Sequence, residues 1–447
     1  MTPEAGSGPD RSEGDINLGD RRAAWQAQHI DADTRALLEE DARWFLHQSM
    51  STPCLNALQG AQGAWLTDTA GRRILDFHGN SLHQIGYGHP AVLAAMRQTL
   101  DTLPFSPRRY TNRPAVDLAR RLCQAAPMAG ARLLFAPGGT AAIGMALKLA
   151  RLATGRFKTV SMWDAFHGAS LDAISIGGEA VFRRGIGPLL PGSEHVPPCD
   201  PGHCVFGCGG RCALRCVDYI DHVLRKEGDV AAVVVETIRC TDVQVPPPDY
   251  YRRLRQICDR HGALLILDEI PIALGRTGHL FAVERYGVEP DMLVIGKGLG
   301  GASMPLAALI AREGLNVGQH ISLGHYTHEK NPLACAAGLA VLDVIEQEVL
   351  LERSRRLGGL ALERLRTLTA GMPAVKDVRG AGLLIGIELD DADLAEAVLY
   401  RCLSAGLSFK VGQGQVLVLA PPLNVEEADL WWALDLVGQA LREAGRD

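Results

Sequence analysis

Between about residues 90 and 330, short and largely apolar runs alternate with helical patterns, and this alternation constrains the fold more than any other feature. Arg132–Phe135, Thr159–Trp163, Ala231–Glu236, Ala263–Asp268 and Met292–Ile295 read as strands, and Ala141–Ala153 and Pro248–His261 between them read as helices. Runs without a polar alternate face belong to strands buried on both sides. The pattern therefore predicts an α/β domain with a mostly parallel sheet covered by helices. Ligands in such sheets bind beyond the carboxyl ends of the strands.

A chain of 447 residues with 47% hydrophobic content is long enough for two or three domains. Residues 1–20 are polar and read as a disordered leader. Residues 21–89 form a segment expected to pack with a small domain; it holds a helix over Asp31–His47 and a hairpin over Gly63–Phe77. Residues 90–332 make the large domain. After Pro332, a helix from Leu333 leads into alternating elements: helix Glu352–Thr369, strand Leu383–Leu389, helix Ala392–Ala405, strand Gln415–Leu419 and a helix from Glu426. Residues 333–447 thus read as a smaller α/β domain, and no internal repeat is present.

The formal net charge of −6, with both signs scattered, offers no basic field for nucleic acid. No apolar run reaches membrane-spanning length, and the polar N-terminus is no secretory signal. A cytoplasmic enzyme is expected, its 11 cysteines reduced.

Two charged residues stand at the ends of apolar strands. Lys297 follows Met292-Leu-Val-Ile-Gly and is ringed by glycines; Asp268 closes Ala263-Leu-Leu-Ile-Leu. One amine and one carboxylate so placed match the needs of pyridoxal 5′-phosphate, a lysine for the aldehyde and an acid for the ring nitrogen. The apolar run before Lys297 is expected to desolvate its amine partly, leaving it neutral often enough to attack. Ile270, two residues beyond Asp268, falls on the same side of an extended chain and is placed to pack on a ring face. Ala136-Pro-Gly-Gly-Thr-Ala-Ala opens directly into a helix, a phosphate site from the backbone of Gly138 and Gly139 with the hydroxyl of Thr140. Phe166, in Trp163-Asp-Ala-Phe-His-Gly, lies beyond another strand, where it would stack on the opposite ring face.

With these pieces in order, the chain resembles the class III (ω-type) aminotransferase-fold enzymes, fold type I of the pyridoxal phosphate enzymes. The resemblance rests on Leu267-Asp-Glu-Ile-Pro-Ile-Ala-Leu-Gly-Arg-Thr-Gly, Gly296-Lys-Gly-Leu-Gly-Gly, Asn331-Pro-Leu-Ala-Cys-Ala-Ala and Leu419-Ala-Pro-Pro-Leu-Asn. It implies a seven-stranded large-domain sheet and a homodimer with shared active sites. It further implies that Lys297 holds the cofactor aldehyde, Asp268 pairs with the ring nitrogen, and Gly138, Gly139 and Thr140 bind the phosphate. Phe166, Glu236 and Ile270 complete the cofactor site, and Thr327 reaches the phosphate of the neighbouring subunit.

Four departures from the family pattern stand out. The phosphate loop is Pro137-Gly-Gly-Thr-Ala, short of one hydroxyl; Pro271 replaces a glutamine; Glu329-Lys330 replaces a Gly-Gly pair; and Val418 stands where many relatives carry an arginine for an α-carboxylate. Without that bidentate partner a carboxylate is poorly held. The expectation moves from amino transfer toward elimination of ammonia. Asp76-Phe-His-Gly-Asn-Ser-Leu-His-Gln-Ile-Gly-Tyr-Gly-His, Phe105-Ser-Pro-Arg-Arg-Tyr-Thr-Asn and Gly324-His-Tyr-Thr-His-Glu-Lys-Asn-Pro resemble an ammonia-lyase branch that acts on a hydroxylated aminophosphonate. A small-molecule amine is then the substrate. Arg108, Arg109, Arg183, Arg184 and Arg239 are candidates for its phosphonate, and His78, His83 and His328 for the proton its hydroxyl needs on leaving. The alternative activity is an ω-aminotransferase passing a terminal amino group to pyruvate. A third, non-catalytic reading rests on Cys199, Cys204, Cys208, Cys212 and Cys216 with His203. Their spacing lacks the Cys-x2-Cys pairs usual for zinc, so reduced thiols and no metal are expected.

Overall fold

The computed structural model describes Gly14, residues 17–208 and residues 212–445. Most of the expected leader lies outside the described residues, but Asp20–His29 is already helical, so the segment beginning at residue 21 starts inside a helix. Contacts divide the chain into two units. The larger comprises residues 88–240 and 244–352, the smaller residues 1–87, 241–243 and 353–447. The helix Pro332–Gln347, expected to open the small domain, groups with the larger unit because it packs on Pro90–Thr102 and Arg113–Ala125. Asn331 caps it by accepting the Ala334 N–H, and Pro332 fills the first turn, where its missing N–H costs nothing.

The larger unit is built on a seven-stranded sheet: β1 Arg132–Ala136, β2 Lys158–Met162, β3 Ser193–Val196, β4 Val230–Glu236, β5 Leu264–Asp268, β6 Met292–Ile295 and β7 Ala307–Ala311. Their spatial order is β1-β7-β6-β5-β4-β2-β3. β7 runs antiparallel to both its neighbours, and the remaining pairs are parallel. Six strands therefore point the same way and deliver their carboxyl ends to one edge. Every residue of β4, β5 and β6 is buried, as uninterrupted apolar runs in a doubly covered sheet require. The register sets Glu236 opposite Asp268 and Asp268 opposite Val294, so three neighbouring strands end nearly level. The helix Gly139–Thr154 lies on the sheet through Ile143, Met145, Ala146, Leu147 and Ala150 and stops at Gly155, which is left-handed (φ 66°).

In the smaller unit, Val375–Ala381, Leu384–Leu389, Val416–Leu419 and Lys410–Gly412 form an antiparallel sheet. A second sheet joins Leu58–Gln62, Trp65–Asp68 and Arg73–Asp76 to Leu407–Ser408. Val418 is buried in the first of these, paired with Gly386 and Lys410. Arg379 ties residues 241–243 to this unit, donating to the carbonyls of Asp242 (2.8 Å) and Val243 (3.1 Å) while ion-paired with Glu388.

Candidate active site

The level ends of β4, β5 and β6 collect the chemistry-bearing residues of the larger unit. Asp268 is 2% exposed. Its Oδ1 accepts the Ile270 N–H at 3.0 Å, and its Oδ2 accepts Nδ1–H of His167 at 2.8 Å. His167 is equally buried, with Nε2 3.3 Å from the Ser161 hydroxyl. Burial alone would lower its pKa. The hydrogen bond to Asp268, that carboxylate's charge and the more distant charge of Glu236 outweigh burial, and the net shift is upward. The sequence reading gave His167 no role; its only local signal is its place beside Phe166 in the loop after β2.

Ile270 joins two loops. A methyl group on Gly139 would lie 2.7 Å from Ile270 Cδ1, and one on Gly296 would lie 3.4 Å from Ile270 Cγ2. The glycine turn after β1 and the lysine turn after β6 thus meet over the residue that follows Asp268. A third loop closes in at Gly168, whose φ of 124° suits glycine alone and whose added methyl would sit 2.3 Å from Thr140 Oγ1. Gly138, Gly139 and Thr140 therefore occupy the start of a helix with the Phe166–Gly168 loop against them. Phe166 is half-buried, its ring 4.5 Å from that of Phe182.

Lys297 departs from expectation. Leu293, Val294, Ile295, Gly298, Leu299 and Gly300 are all buried, yet Lys297 itself is exposed. Its φ of 46° is left-handed, a conformation that costs a non-glycine residue about 1–3 kcal/mol. The chain turns sharply at Lys297. Strain concentrated at one lysine between two glycines marks a position held for its side chain.

Glu236 is nearly buried and lines a cavity of about 30 Å³, room for one water, shared with Arg239, Cys199, Gln244, Tyr250 and Tyr251. Arg239 is 7% exposed, its guanidinium 3.6 Å from Asp200 and 3.8 Å from Asp164. Arg108 and Arg109 are exposed; Arg108 lies against the ring of His325, Nη1 to Nδ1 at 2.6 Å. Arg183 is half-buried over the Trp163 ring, and Arg184 is exposed. Thr327 and His328 are also exposed, with the His328 ring 5.5 Å from Phe105 and its Nδ1 3.1 Å from Asn331 Nδ2. His78 and His83 belong to the smaller unit. The ring of His83 is fully buried, with Nε2 3.0 Å from the Asp76 carbonyl, and the His78 N–H donates to Asp76 Oδ1 at 2.9 Å.

Glu269 is a second residue the sequence reading passed over. Fully buried, it accepts from the Thr237 hydroxyl and from the N–H groups of Ala282 and Val283, at 2.6–2.8 Å. Burial pushes its pKa up to about 7 despite these donors. It braces the turn beyond β5 from behind.

A seven-stranded sheet of this order, with an amine and a carboxylate at neighbouring strand ends and a glycine turn opening a helix, defines the large domain of a fold-type-I enzyme. The chain belongs to the class-III aminotransferase family, whose pattern it matches over residues 47–441. It is 47% identical to the (R)-1-hydroxy-2-aminoethylphosphonate ammonia-lyase of Vibrio splendidus, over 98% of this chain and 96% of that one. It is 36% identical to the acetylornithine aminotransferase of Methanopyrus kandleri, over 86% and 94% of the two chains. Among solved structures, an amine transaminase from an uncultivated Pseudomonas species, in its PLP-bound form, superposes with a TM-score of 0.82 at 29% identity, covering 90% of this chain and 99% of that one.

The residues present fit pyridoxal 5′-phosphate. A buried carboxylate held by a histidine suits a ring nitrogen, and the missing side chain of Gly139 lets the glycine turn pack directly on Ile270, beside that carboxylate. The glycine turn leads straight into the helix Gly139–Thr154, where unpaired N–H groups suit a phosphate.

Proposed function

We propose that this protein is a pyridoxal-phosphate-dependent carbon–nitrogen lyase. It eliminates ammonia from (R)-1-hydroxy-2-aminoethylphosphonate, giving phosphonoacetaldehyde, as a step in phosphonate breakdown. The observation that carries this reading is the 47% identity, across 98% of the chain, to the ammonia-lyase of that name. Val418 supports it, since an apolar side chain buried in a strand cannot clamp the carboxylate of an amino acid donor.

Bound pyridoxal phosphate supplies a cationic ring that withdraws electrons from the substrate carbon carrying nitrogen. Gly138, Gly139 and Thr140 would hold its phosphate, and Phe166, Ile270 and Glu236 would line the rest of its site. Asp268 would pair with the ring nitrogen, and His167, 2.8 Å away, holds its carboxylate in position. Lys297 would hold the cofactor aldehyde, and its Nζ is the base for the proton on the amine-bearing carbon. The hydroxyl on the adjacent carbon leaves with a proton from His78, His83 or His328. Arg108, Arg109 and Arg239 are the cations for the phosphonate dianion, and burial favours Arg239. The working form is a cytoplasmic homodimer in which Thr327 completes the phosphate site of the other subunit.

The deciding experiment supplies the aminophosphonate alone, with no keto acid, and measures ammonia and aldehyde. Stoichiometric release of both is expected. A strict requirement for pyruvate, with alanine formed, overturns the lyase and establishes the ω-aminotransferase alternative.

A further inference from the structure

The loop of residues 163–168 follows β2 and carries Phe166, His167 and Gly168. A second segment, residues 177–183, packs along it. The Gly178 N–H donates to the Ala165 carbonyl at 2.7 Å. Here the two backbones lie too close for any side chain. A methyl group on Gly178 would sit 2.2 Å from the Met162 carbonyl oxygen and 2.5 Å from both the Asp164 nitrogen and the Trp163 Cα. The neighbouring Gly177 carbonyl accepts from His195 Nε2 at 2.9 Å, and the His195 ring, on β3, stacks on Trp163 with 4.7 Å between centres.

The short helix Ala180–Arg183 then brings two successive side chains to the loop. The Arg183 guanidinium lies 5.4 Å from the centre of the Trp163 ring. Phe182 meets Phe166 with 4.5 Å between ring centres and 43° between their planes. Both phenylalanines are half-buried. A half-buried ring keeps several rotamers unless a neighbour excludes them, and the Phe182 ring is placed to do so.

We propose that Phe182 is a positioning residue for the cofactor, holding the Phe166 ring in place at the cofactor site. This role rests on the placing of Phe166 at that site under the proposed function; Phe182 acts through Phe166 alone. The backbone of the loop is fixed without Phe182, by the Gly178 hydrogen bond and by the close packing of Gly168 on Thr140. His167 is likewise fixed by its bond to Asp268. Phe182 therefore decides the orientation of one ring and leaves the course of the chain and the histidine–carboxylate pair alone.

The test measures pyridoxal 5′-phosphate binding to the full chain by equilibrium dialysis, together with the visible circular dichroism of the bound cofactor. Phe182→Leu and Phe182→Met each keep apolar bulk and lose the ring. An aromatic pair contributes beyond its buried area, so binding about two- to tenfold weaker is expected from either variant, with a smaller dichroic band. The pH midpoint of the visible band should stay where it is in the wild type. Phe182→Tyr, which keeps the ring, should restore binding and dichroism. In a Phe166→Leu background, Phe182→Leu should add nothing. Additive losses, a shifted pH midpoint, or no restoration by tyrosine overturn the proposal. So does wild-type binding and dichroism in Phe182→Leu when Phe166→Leu is impaired, an outcome that leaves Phe166 at the cofactor site. A Phe166→Leu variant indistinguishable from the wild type instead removes Phe166 from that site and overturns both readings.

Discussion

Asp268, the last residue of its strand, and His167, in the loop beyond a different strand, share a single buried hydrogen bond of 2.8 Å from Nδ1–H to Oδ2. Neither side chain is more than 2% exposed, so no water can substitute for either partner. Burial would lower the His167 pKa, but the hydrogen bond to Asp268 and that carboxylate's charge outweigh it and shift the pKa upward.

His167→Ala strips Asp268 of that donor. Loss of a hydrogen bond to a buried charge costs about 1.5–3 kcal/mol, and at about 1.4 kcal/mol per decade kcat/KM should fall roughly ten- to a hundredfold. The pH midpoint of the bound cofactor's visible band should move as well. His167→Gln, which keeps an N–H donor, should recover part of both. Wild-type turnover in His167→Ala would remove the histidine from the account.

Gly168→Ala places a methyl group against Thr140 Oγ1 at a backbone angle that suits only glycine. Strain of about 1–3 kcal/mol is expected at the rim of the phosphate loop, weakening cofactor binding by about tenfold or more. Equilibrium dialysis measures the loss. The double variant Gly168→Ala with Thr140→Ala removes only the Oγ1 contact, because Cβ of residue 140 stays 2.8 Å and its Cα 3.0 Å from the added methyl, so little rescue of binding is expected.

Glu269 gives stability a pH dependence of definite sign. Its folded pKa, up to about 7, exceeds the ordinary 4.5, so between these values the folded chain binds more protons than the unfolded one. Its contribution is therefore most favourable below pH 4.5 and declines as pH rises to 7, by about 3 kcal/mol. Glu269→Gln does not titrate, and the gap between wild type and variant in urea unfolding should grow or shrink along that window alone. A gap constant from pH 4.5 to 7 would rule out the raised pKa.

Arg239→Gln should raise KM for the aminophosphonate by tenfold or more with a smaller change in kcat, as expected for a group that binds the substrate without entering the chemistry. The exposed Arg108 and Arg109 pay more of their attraction to solvent screening, and their glutamine variants should each raise KM less. Steady-state kinetics on the three variants ranks them. Equal effects would move the phosphonate site away from Arg239.

The strands that carry the site were legible because Val230–Glu236 and Leu264–Asp268 are unbroken apolar runs, and burial on both faces leaves no other reading. Ala307–Ala311 was not recognised: it is short and alanine-rich, and its antiparallel direction breaks the strand–helix alternation. Asp20–His29 escaped because only Arg22 and Trp25 are buried along it, too few to show a helical period. The placing of Lys297 and Asp268 follows from residue type at a strand end, but no local pattern announces the left-handed turn at Lys297. The tie between His167 and Asp268 spans 101 positions, and only the folded sheet brings its two ends together.

Ile270 touches both the turn that precedes the helix at Gly139 and the turn that carries Lys297. The glycine turn and the turn that carries Lys297 thus share one packing partner. A chain that enlarged residue 139 would have to shrink or shift residue 270, so substitutions at these two positions should accumulate together, while position 296 answers first to Ala307.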